Sequence, residues 1–144
     1  MVVNKRTPVD DAECVDIDTL CRECDIISVH TPLNDGTRGL ISRERIASMK
    51  KDVIFINVAR GAVVDEAALA EAVKEGRVGA IGVDVYSKEP FPCDHPYSEI
   101  KGFDNVILTP HMAWGSYEAR KRCCEEIVLN IEAYLNGEKR CRLV

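Results

Sequence analysis

Short runs of β-branched and apolar residues alternate with longer amphipathic runs along this chain, and this alternation limits the fold more than any other feature. The strand-like runs are residues 25–29, 53–57, 79–84 and 106–108, and residues 2–3 resemble the end of a further strand. Within them, residues 26–27 and 53–56 are nearly continuous apolar runs, as expected for strands buried on both faces. Strands that alternate with helices usually pair in parallel through crossover connections. The pattern therefore predicts an α/β fold built on a parallel sheet.

The amphipathic runs carry residues that are typical of helix ends. Asp16, Ser42 and Asp65 each precede a run with helical periodicity, so we expect them to be N-caps. Gly76 should end the helix that begins after Asp65. A long final helix is predicted over residues 116–135, with an Asn-Gly stop directly after it.

Charge and cysteine content argue against several classes of partner. The 144-residue chain has a formal net charge of -5, whereas nucleic-acid-binding domains usually present a basic surface. No run approaches the roughly 20 apolar residues of a membrane span. The seven cysteines include a C-x-x-C at residues 21–24, but neither a second pair nor a well-placed histidine completes a zinc site. We therefore expect a cytoplasmic protein with reduced cysteines, no metal, no nucleic-acid partner and no membrane association.

Three residues suited to chemistry on a 2-oxo acid follow successive predicted strands: Arg60, Glu89 and His111. The carboxyl ends of parallel strands meet at one edge of a sheet, where ligands of open α/β folds bind. An arginine can hold a substrate carboxylate and polarise the neighbouring oxo group, and a histidine can protonate the new alkoxide. A carboxylate bonded to that histidine would orient it and favour its protonated form.

Each of these residues also has an ordinary interpretation. Arg60 would then be a surface arginine in a turn, Glu89 a solvated loop charge, and His111 a side chain bonded to a backbone carbonyl. Their occurrence at consecutive strand ends favours the functional interpretation.

Four segments of the chain resemble motifs of the D-isomer-specific 2-hydroxyacid dehydrogenases. Residues 57–65 are similar to the segment N-x-A-R-G…V-D, and residues 82–90 to G-x-D-V-[FY]…E-P. Residues 105–111 are similar to N-V-x-x-T-P-H, and residues 29–33 to H-x-P-L. The motifs occur in the family's order and spacing over essentially the whole chain. The resemblance implies a Rossmann-like, doubly wound parallel sheet that binds a dinucleotide.

The resemblance also implies a role for each candidate residue. Arg60 would be the substrate-binding arginine, Glu89 the carboxylate partner and His111 the acid or base. The enzyme would transfer a hydride between NAD(P)H and a small 2-oxo or 2-hydroxy acid. The positions that line the nucleotide in the family are here Thr31, Pro32, Val58, Ala59, Arg60, Asp84, His111 and Ala113. Of these, Asp84 would lie near the nicotinamide carboxamide.

The sequence after His111 narrows the resemblance. Residues 112–120 are similar to the H-I-A-W…E-A-R segment of glycerate dehydrogenases and hydroxypyruvate reductases. We therefore expect hydroxypyruvate or glyoxylate as the substrate, bound by Arg60 and Trp114. The alternative interpretation makes Trp114 a core or interface aromatic.

The residues after the first strand bear on the choice of nucleotide. In dinucleotide-binding folds an acidic residue there holds the ribose 2′-hydroxyl, whereas an arginine accommodates a 2′-phosphate. Here Asn4 is followed by Lys5, Arg6 and Thr7. These residues predict NADP(H) as the preferred cofactor, with NAD(H) as the alternative. The ordinary interpretation is a solvated basic turn.

The sequence departs from the family pattern at its start. The glycine-rich G-x-G-x-x-G is expected about 20 residues before Asn4, and neither it nor the family's substrate-binding domain occurs in the chain. We therefore interpret residues 1–144 as a partial dinucleotide-binding domain that lacks the first βα unit. By itself it should bind dinucleotide weakly and not turn over. It is either a fragment of a dehydrogenase or a non-catalytic nucleotide-sensing or subunit-interaction module.

The missing first strand also bears on the sheet. That strand is central in the order 3-2-1-4-5-6, so its absence should divide the sheet into a two-stranded pair and a second group. Open apolar edges invite pairing with another strand or chain. We expect either that the strand at Ile54 closes the gap by pairing with a neighbouring strand, or that the chain forms a homodimer.

Overall fold

The computed structural model describes residues 2–4 and 12–141. The chain divides into two compact units, Met1–His111 and Met112–Val144. Lys5 and Arg6, the residues expected to bind a 2′-phosphate, lie outside the described residues.

The described residues of the first unit form six strands in two parallel sheets. Strands β1 (Val2–Val3) and β2 (Glu13–Cys14) form a two-stranded sheet. Strands β3 (Ile26–Val29), β4 (Val53–Asn57), β5 (Val78–Val83) and β6 (Val106–Leu108) form a four-stranded sheet in the order β3-β4-β5-β6. All pairings are parallel, and the sheet class predicted from the sequence is confirmed.

Three α-helices connect these strands: α1 (Ile17–Glu23), α2 (Arg43–Ser48) and α3 (Glu66–Lys74). The side chains of Asp16, Ser42 and Asp65 accept hydrogen bonds from the backbone three residues on, so all three predicted N-caps are confirmed. Gly76 follows α3 with a φ of 66°, the left-handed conformation that glycine tolerates best.

Only one face of the four-stranded sheet is buried, whereas the apolar runs in the sequence predict burial of both faces. One face lies in the hydrophobic core and includes Ile27, Phe55 and Ile81, which are at most 3% exposed. The opposite face carries Ile26 and Ile107, which are 61% and 65% exposed. The period-two alternation of side chains along a strand places these two sets on opposite faces.

Three details of the sheet differ from the sequence prediction. Strand β2 is not predicted from the sequence. The strand predicted over residues 79–84 is observed one residue earlier, as β5. The sheet is divided as expected, but Ile54 lies in an interior strand that is paired with β3 and β5, so β3 is the open edge. Gly79 permits a close approach, because a Cβ there would lie 2.5 Å from the backbone oxygen of Asp52.

The second unit contains one long helix, α4 (Tyr117–Leu135). Ser116 caps it by accepting a hydrogen bond from the backbone N–H of Ala119, and Gly137 follows it with a φ of 72°. The predicted final helix and its stop are therefore confirmed. None of the helices in the described ranges, 2–4 and 12–141, is long and apolar enough to span a membrane.

Candidate active site

The four-stranded sheet brings those predicted site residues of the first unit that the structure describes to one edge, called here the carboxyl edge. It is the edge at which β3, β4, β5 and β6 end. Thr31 and Pro32 follow β3, while Val58, Ala59 and Arg60 follow β4. Asp84 follows β5, and the loop after it leads to Glu89; His111 comes three residues after β6. Backbone bonds from Asp84 N–H to the Asn57 carbonyl and from Thr109 N–H to the Val83 carbonyl extend the ladder past the strand ends.

The loop that carries Arg60 is shaped by Asn57. This side chain is 1% exposed. Its Oδ1 accepts a hydrogen bond from Ala59 N–H at 3.0 Å, and its Nδ2 donates to the Arg60 carbonyl at 3.1 Å. The Arg60 guanidinium donates to the Ala59 carbonyl at 2.6 Å. Asn57 therefore closes the turn that places Arg60 at the carboxyl edge.

Glu89 and His111 form a side-chain pair at the candidate site. Nδ1 of His111 lies 2.7 Å from Oε2 of Glu89, and the two side chains are 38% and 36% exposed. Oε1 of Glu89 accepts a hydrogen bond from Tyr86 N–H at 2.9 Å. His111 has a φ of 54°, an uncommon left-handed conformation for a residue with a side chain. Such backbone strain is often found at functional sites.

The pKa of Glu89 lies below its ordinary value of 4.5. Partial burial raises the pKa of Glu89, but the hydrogen bonds from His111 and from Tyr86 N–H outweigh that effect. The electrostatic influence of His111 and, to a smaller extent, of Arg60 lowers the pKa of Glu89 further. An ionised Glu89 can only accept, so Nδ1 of His111 carries the hydrogen of the pair.

Glu89 should make the stability of the chain depend on pH. Because its pKa is lowered by folding, its stabilising contribution is present above pH 4.5 and is lost as the pH falls through the depressed value. Glu89→Gln should therefore destabilise the chain near neutral pH, and the difference from the parent should shrink in acid. Urea unfolding at a series of pH values measures this difference. A difference that stays constant across the series would contradict the lowered pKa.

Tyr86 and Thr109 connect the ends of β5 and β6. The Tyr86 hydroxyl donates to the Thr109 carbonyl at 2.9 Å, and the Thr109 hydroxyl donates to Oδ1 of Asp84 at 2.5 Å. Asp84 is 3% exposed. Burial, together with the charges of Asp84 and Glu89, raises the pKa of Tyr86, so its hydroxyl remains a neutral donor. These bonds hold Asp84 and the segment before His111 in fixed positions.

A cavity of about 790 Å³ opens beside Glu89 and His111. Its walls include Tyr86, Phe91 and Lys101 as well as strand β6. Its volume is in the range of small-molecule sites in proteins. In residues 2–4 and 12–141 no group of three or more His, Cys, Asp or Glu side chains is arranged to hold a metal ion.

Two of the predicted site residues lie outside the first unit, and several residues of the site are missing from the sequence prediction. Ala113 and Trp114 belong to the second unit, so their roles remain predictions. Sequence reasoning omits Thr109 and Tyr86 from the site, although both lie in motifs that it identifies. It also omits a buried pair, Glu66 and His95, which is described below.

A parallel α/β sheet whose polar residues collect at the carboxyl edge has the arrangement of a nucleotide-binding domain. The chain belongs to the D-isomer specific 2-hydroxyacid dehydrogenase family, because residues 2–113 match the model of that family's NAD binding domain. The resemblance inferred from the four motifs is therefore confirmed.

Three of the curated relatives of this chain carry related names. The glyoxylate reductase of Thermofilum pendens is 45% identical over 132 residues, which cover 92% of this chain and 38% of the relative. The glycerate dehydrogenase of Methylorubrum extorquens is 41% identical over 124 residues, covering 86% and 39%. The hydroxypyruvate reductase of Thermotoga maritima is 47% identical over 119 residues, covering 83% and 39%. The chain thus spans about two-fifths of the length of these relatives.

Solved structures of the family include complexes with either nucleotide. The NAD+ complex of Lactobacillus jensenii D-lactate dehydrogenase has a TM-score of 0.89 and 32% identity, and the match covers 99% of this chain and 47% of that one. A D-isomer specific 2-hydroxyacid dehydrogenase of Xanthobacter autotrophicus in complex with NADPH and MES has a TM-score of 0.79 and 33% identity, covering 99% and 59%. The fold predicted from the sequence is therefore confirmed.

Proposed function

We propose that this chain supplies the catalytic residues and part of the nucleotide site of an oxidoreductase that transfers a hydride between NAD(P)H and a small 2-oxo or 2-hydroxy acid. The observation that carries the proposal is the 2.7 Å contact between Glu89 and His111 at the carboxyl edge, the edge at which Arg60 also lies. On this proposal residues 1–144 are part of a dinucleotide-binding domain. Hydroxypyruvate and glyoxylate are the proposed substrates, on the strength of the names of the relatives.

Arg60, Glu89 and His111 have different roles, which follow from the chemistry of their side chains. Arg60 presents two parallel N–H donors, which suit the carboxylate of a 2-oxo acid. With Nδ1 of His111 bonded to Glu89, proton transfer to the substrate oxygen falls to Nε2. Glu89 keeps the ring in one orientation and stabilises the imidazolium. When bound, the nicotinamide supplies the hydride or accepts it.

The residues at the carboxyl edge fit a nicotinamide. Asp84 is buried and held by Thr109, so it offers a fixed acceptor at the end of β5. Such an acceptor suits the N–H donors of a carboxamide. Thr31 and Pro32 at the end of β3, and Val58 and Ala59 at the end of β4, are the residues we assign to the rest of the nucleotide.

We further propose NADP(H) as the preferred cofactor, because Lys5 and Arg6 replace the acidic residue expected after the first strand. A homodimer is proposed because β3 is an end strand of the sheet among the described residues, and end strands can pair with another chain. A cytoplasmic location is proposed because all seven cysteines are free thiols.

A chimera tests the proposed function and its cofactor. In it, this chain replaces the matching segment of the Thermotoga maritima hydroxypyruvate reductase. The chimera should reduce hydroxypyruvate or glyoxylate, with a higher kcat/KM for NADPH than for NADH. A folded chimera, verified by circular dichroism, that reduces neither acid would contradict the proposed function.

The Arg6→Ala variant of the chimera tests the cofactor preference separately. It should lower the ratio of kcat/KM for NADPH to that for NADH by about 10- to 100-fold, which is the usual worth of a charge-assisted phosphate contact. The matched control is Arg77→Ala, at the amino end of β5, which should leave the ratio unchanged. An unchanged ratio in Arg6→Ala would remove the case for NADP(H).

A further inference from the structure

Helix α3 holds the loop that carries Glu89 through one buried side chain. Glu66, in the first turn of α3, is 8% exposed. Its Oε1 accepts a hydrogen bond from Ser87 N–H at 3.0 Å, and its Oε2 lies 3.2 Å from Nε2 of His95. Ser87 and His95 stand on either side of Glu89 in the sequence. One carboxylate therefore fixes the Glu89 loop at two points.

The hydrogen bonds of His95 determine which ring nitrogen faces Glu66. Tyr97 N–H donates to Nδ1 of His95 at 3.2 Å, so Nδ1 is an acceptor and Nε2 carries the hydrogen. Nε2–H then donates to Glu66. The ring is also enclosed by Phe91 and Tyr97, with ring centroids 5.1 Å and 5.0 Å from that of His95. A ring held in this way has little freedom to release Glu66.

A short path of bonds leads from Glu66 to His111. Glu66 holds the amide of Ser87, and the preceding amide, that of Tyr86, donates to Oε1 of Glu89. Oε2 of Glu89 then meets Nδ1 of His111. Because the two amides are consecutive, a displacement of Ser87 moves the donor that orients Glu89.

We propose that Glu66 and His95 are positioning residues, which hold the Glu89 loop so that the Glu89 carboxylate meets His111. The proposal rests on the proposed function for its relevance to catalysis, but its test does not depend on activity. A purely structural role for Glu66 is that of an acidic residue at the positive end of a helix. That role stabilises α3 and has no effect on the environment of Glu89.

Titration of Glu89 by ¹³C NMR separates the two roles in the 144-residue chain. If Glu66 positions the loop, Glu66→Ala releases it, and the pKa of Glu89 rises toward 4.5 because the bonds from His111 and Tyr86 weaken. Loss of the Glu66 negative charge alone would act in the opposite direction and lower the pKa of Glu89. The sign of the change therefore identifies the cause.

Two conservative variants keep the test decisive if the alanine variant does not fold. His95→Asn retains a short acceptor for the Tyr97 amide and leaves the Glu66 charge in place, but it cannot reach Glu66. Glu66→Gln can satisfy only one of the two donors that face it. Both should raise the pKa of Glu89. Glu71→Gln is the matched control on the same helix, where Glu71 pairs with Arg43.

The expected result is a rise in the pKa of Glu89 in Glu66→Ala and His95→Asn, a smaller rise in Glu66→Gln and no change in Glu71→Gln. A pKa that is unchanged or lower in His95→Asn, in a chain whose unfolding remains cooperative, would overturn the proposal. That failure would leave the proposed function intact, because the role of His111 is tested by kinetics.

Discussion

Replacing His111 with alanine should lower kcat of the chimera with hydroxypyruvate by about 10²- to 10⁴-fold, the usual contribution of a positioned acid. The reason is that His111 is the residue at the carboxyl edge whose Nδ1 is fixed by a carboxylate, which leaves proton transfer to Nε2. Steady-state kinetics with saturating nucleotide measures the effect. KM should change less than kcat, because the lost interaction belongs to the transition state.

The control for this substitution addresses the backbone of His111. Its φ of 54° is unfavourable for alanine, whereas asparagine adopts this conformation more readily. His111→Asn should therefore preserve the local backbone and still lose activity to a similar extent. An asparagine variant with nearly full activity would mean that His111 contributes conformation and not proton transfer.

Gly61→Ala should destabilise the chain by about 3 kcal/mol, at the upper end of the usual effect of overpacking. A Cβ at this position would lie 2.0 Å from the carbonyl carbon of Tyr86 and 2.1 Å from the backbone nitrogen of Ser87. Neither neighbour is a flexible side chain, so the loop that carries Glu89 must move away from the loop that carries Arg60. Urea unfolding followed by circular dichroism measures the loss.

Gly102→Ala is the matched control for Gly61→Ala. Among the described atoms, none lies within 4 Å of the corresponding Cβ, and the φ of Gly102 is not left-handed. Its effect should be below about 1 kcal/mol, because it removes only the backbone freedom of the unfolded chain. Equal effects of the two substitutions would refute the close approach of the Arg60 and Glu89 loops.

The parts of the fold that the sequence predicts are those with strong local signals. The caps at Asp16, Ser42 and Asp65 are readable because a short polar side chain before a periodic run has few other uses. Strand β2 is not readable, because its two residues, Glu13 and Cys14, are both exposed and too few for periodicity. The one-sided burial of the sheet is equally hidden, since a continuous apolar run cannot show which of its faces is covered.

The candidate site also contains residues that the sequence predicts and residues that it does not. Arg60, Glu89 and His111 are predictable because each follows a strand, and the parallel sheet sends all strand ends to one edge. The pair of Glu66 and His95 is separated by 29 residues and joins a helix to an irregular loop. Strand order alone does not place that loop against α3. Glu66 is readable from the sequence only as an acidic residue at a helix start.

The proposed function requires this chain to provide the residues for hydride transfer between NAD(P)H and a 2-oxo acid. Transfer of deuterium tests this directly. The chimera is given hydroxypyruvate and a reduced nicotinamide nucleotide that carries deuterium at the transferred position of C4. Mass spectrometry then shows whether the product contains the deuterium. We expect one deuterium on C2 of the glycerate formed, and a rate of transfer that is lower in His111→Ala. Glycerate without deuterium, or deuterium transfer at an undiminished rate in His111→Ala, would contradict the proposed function.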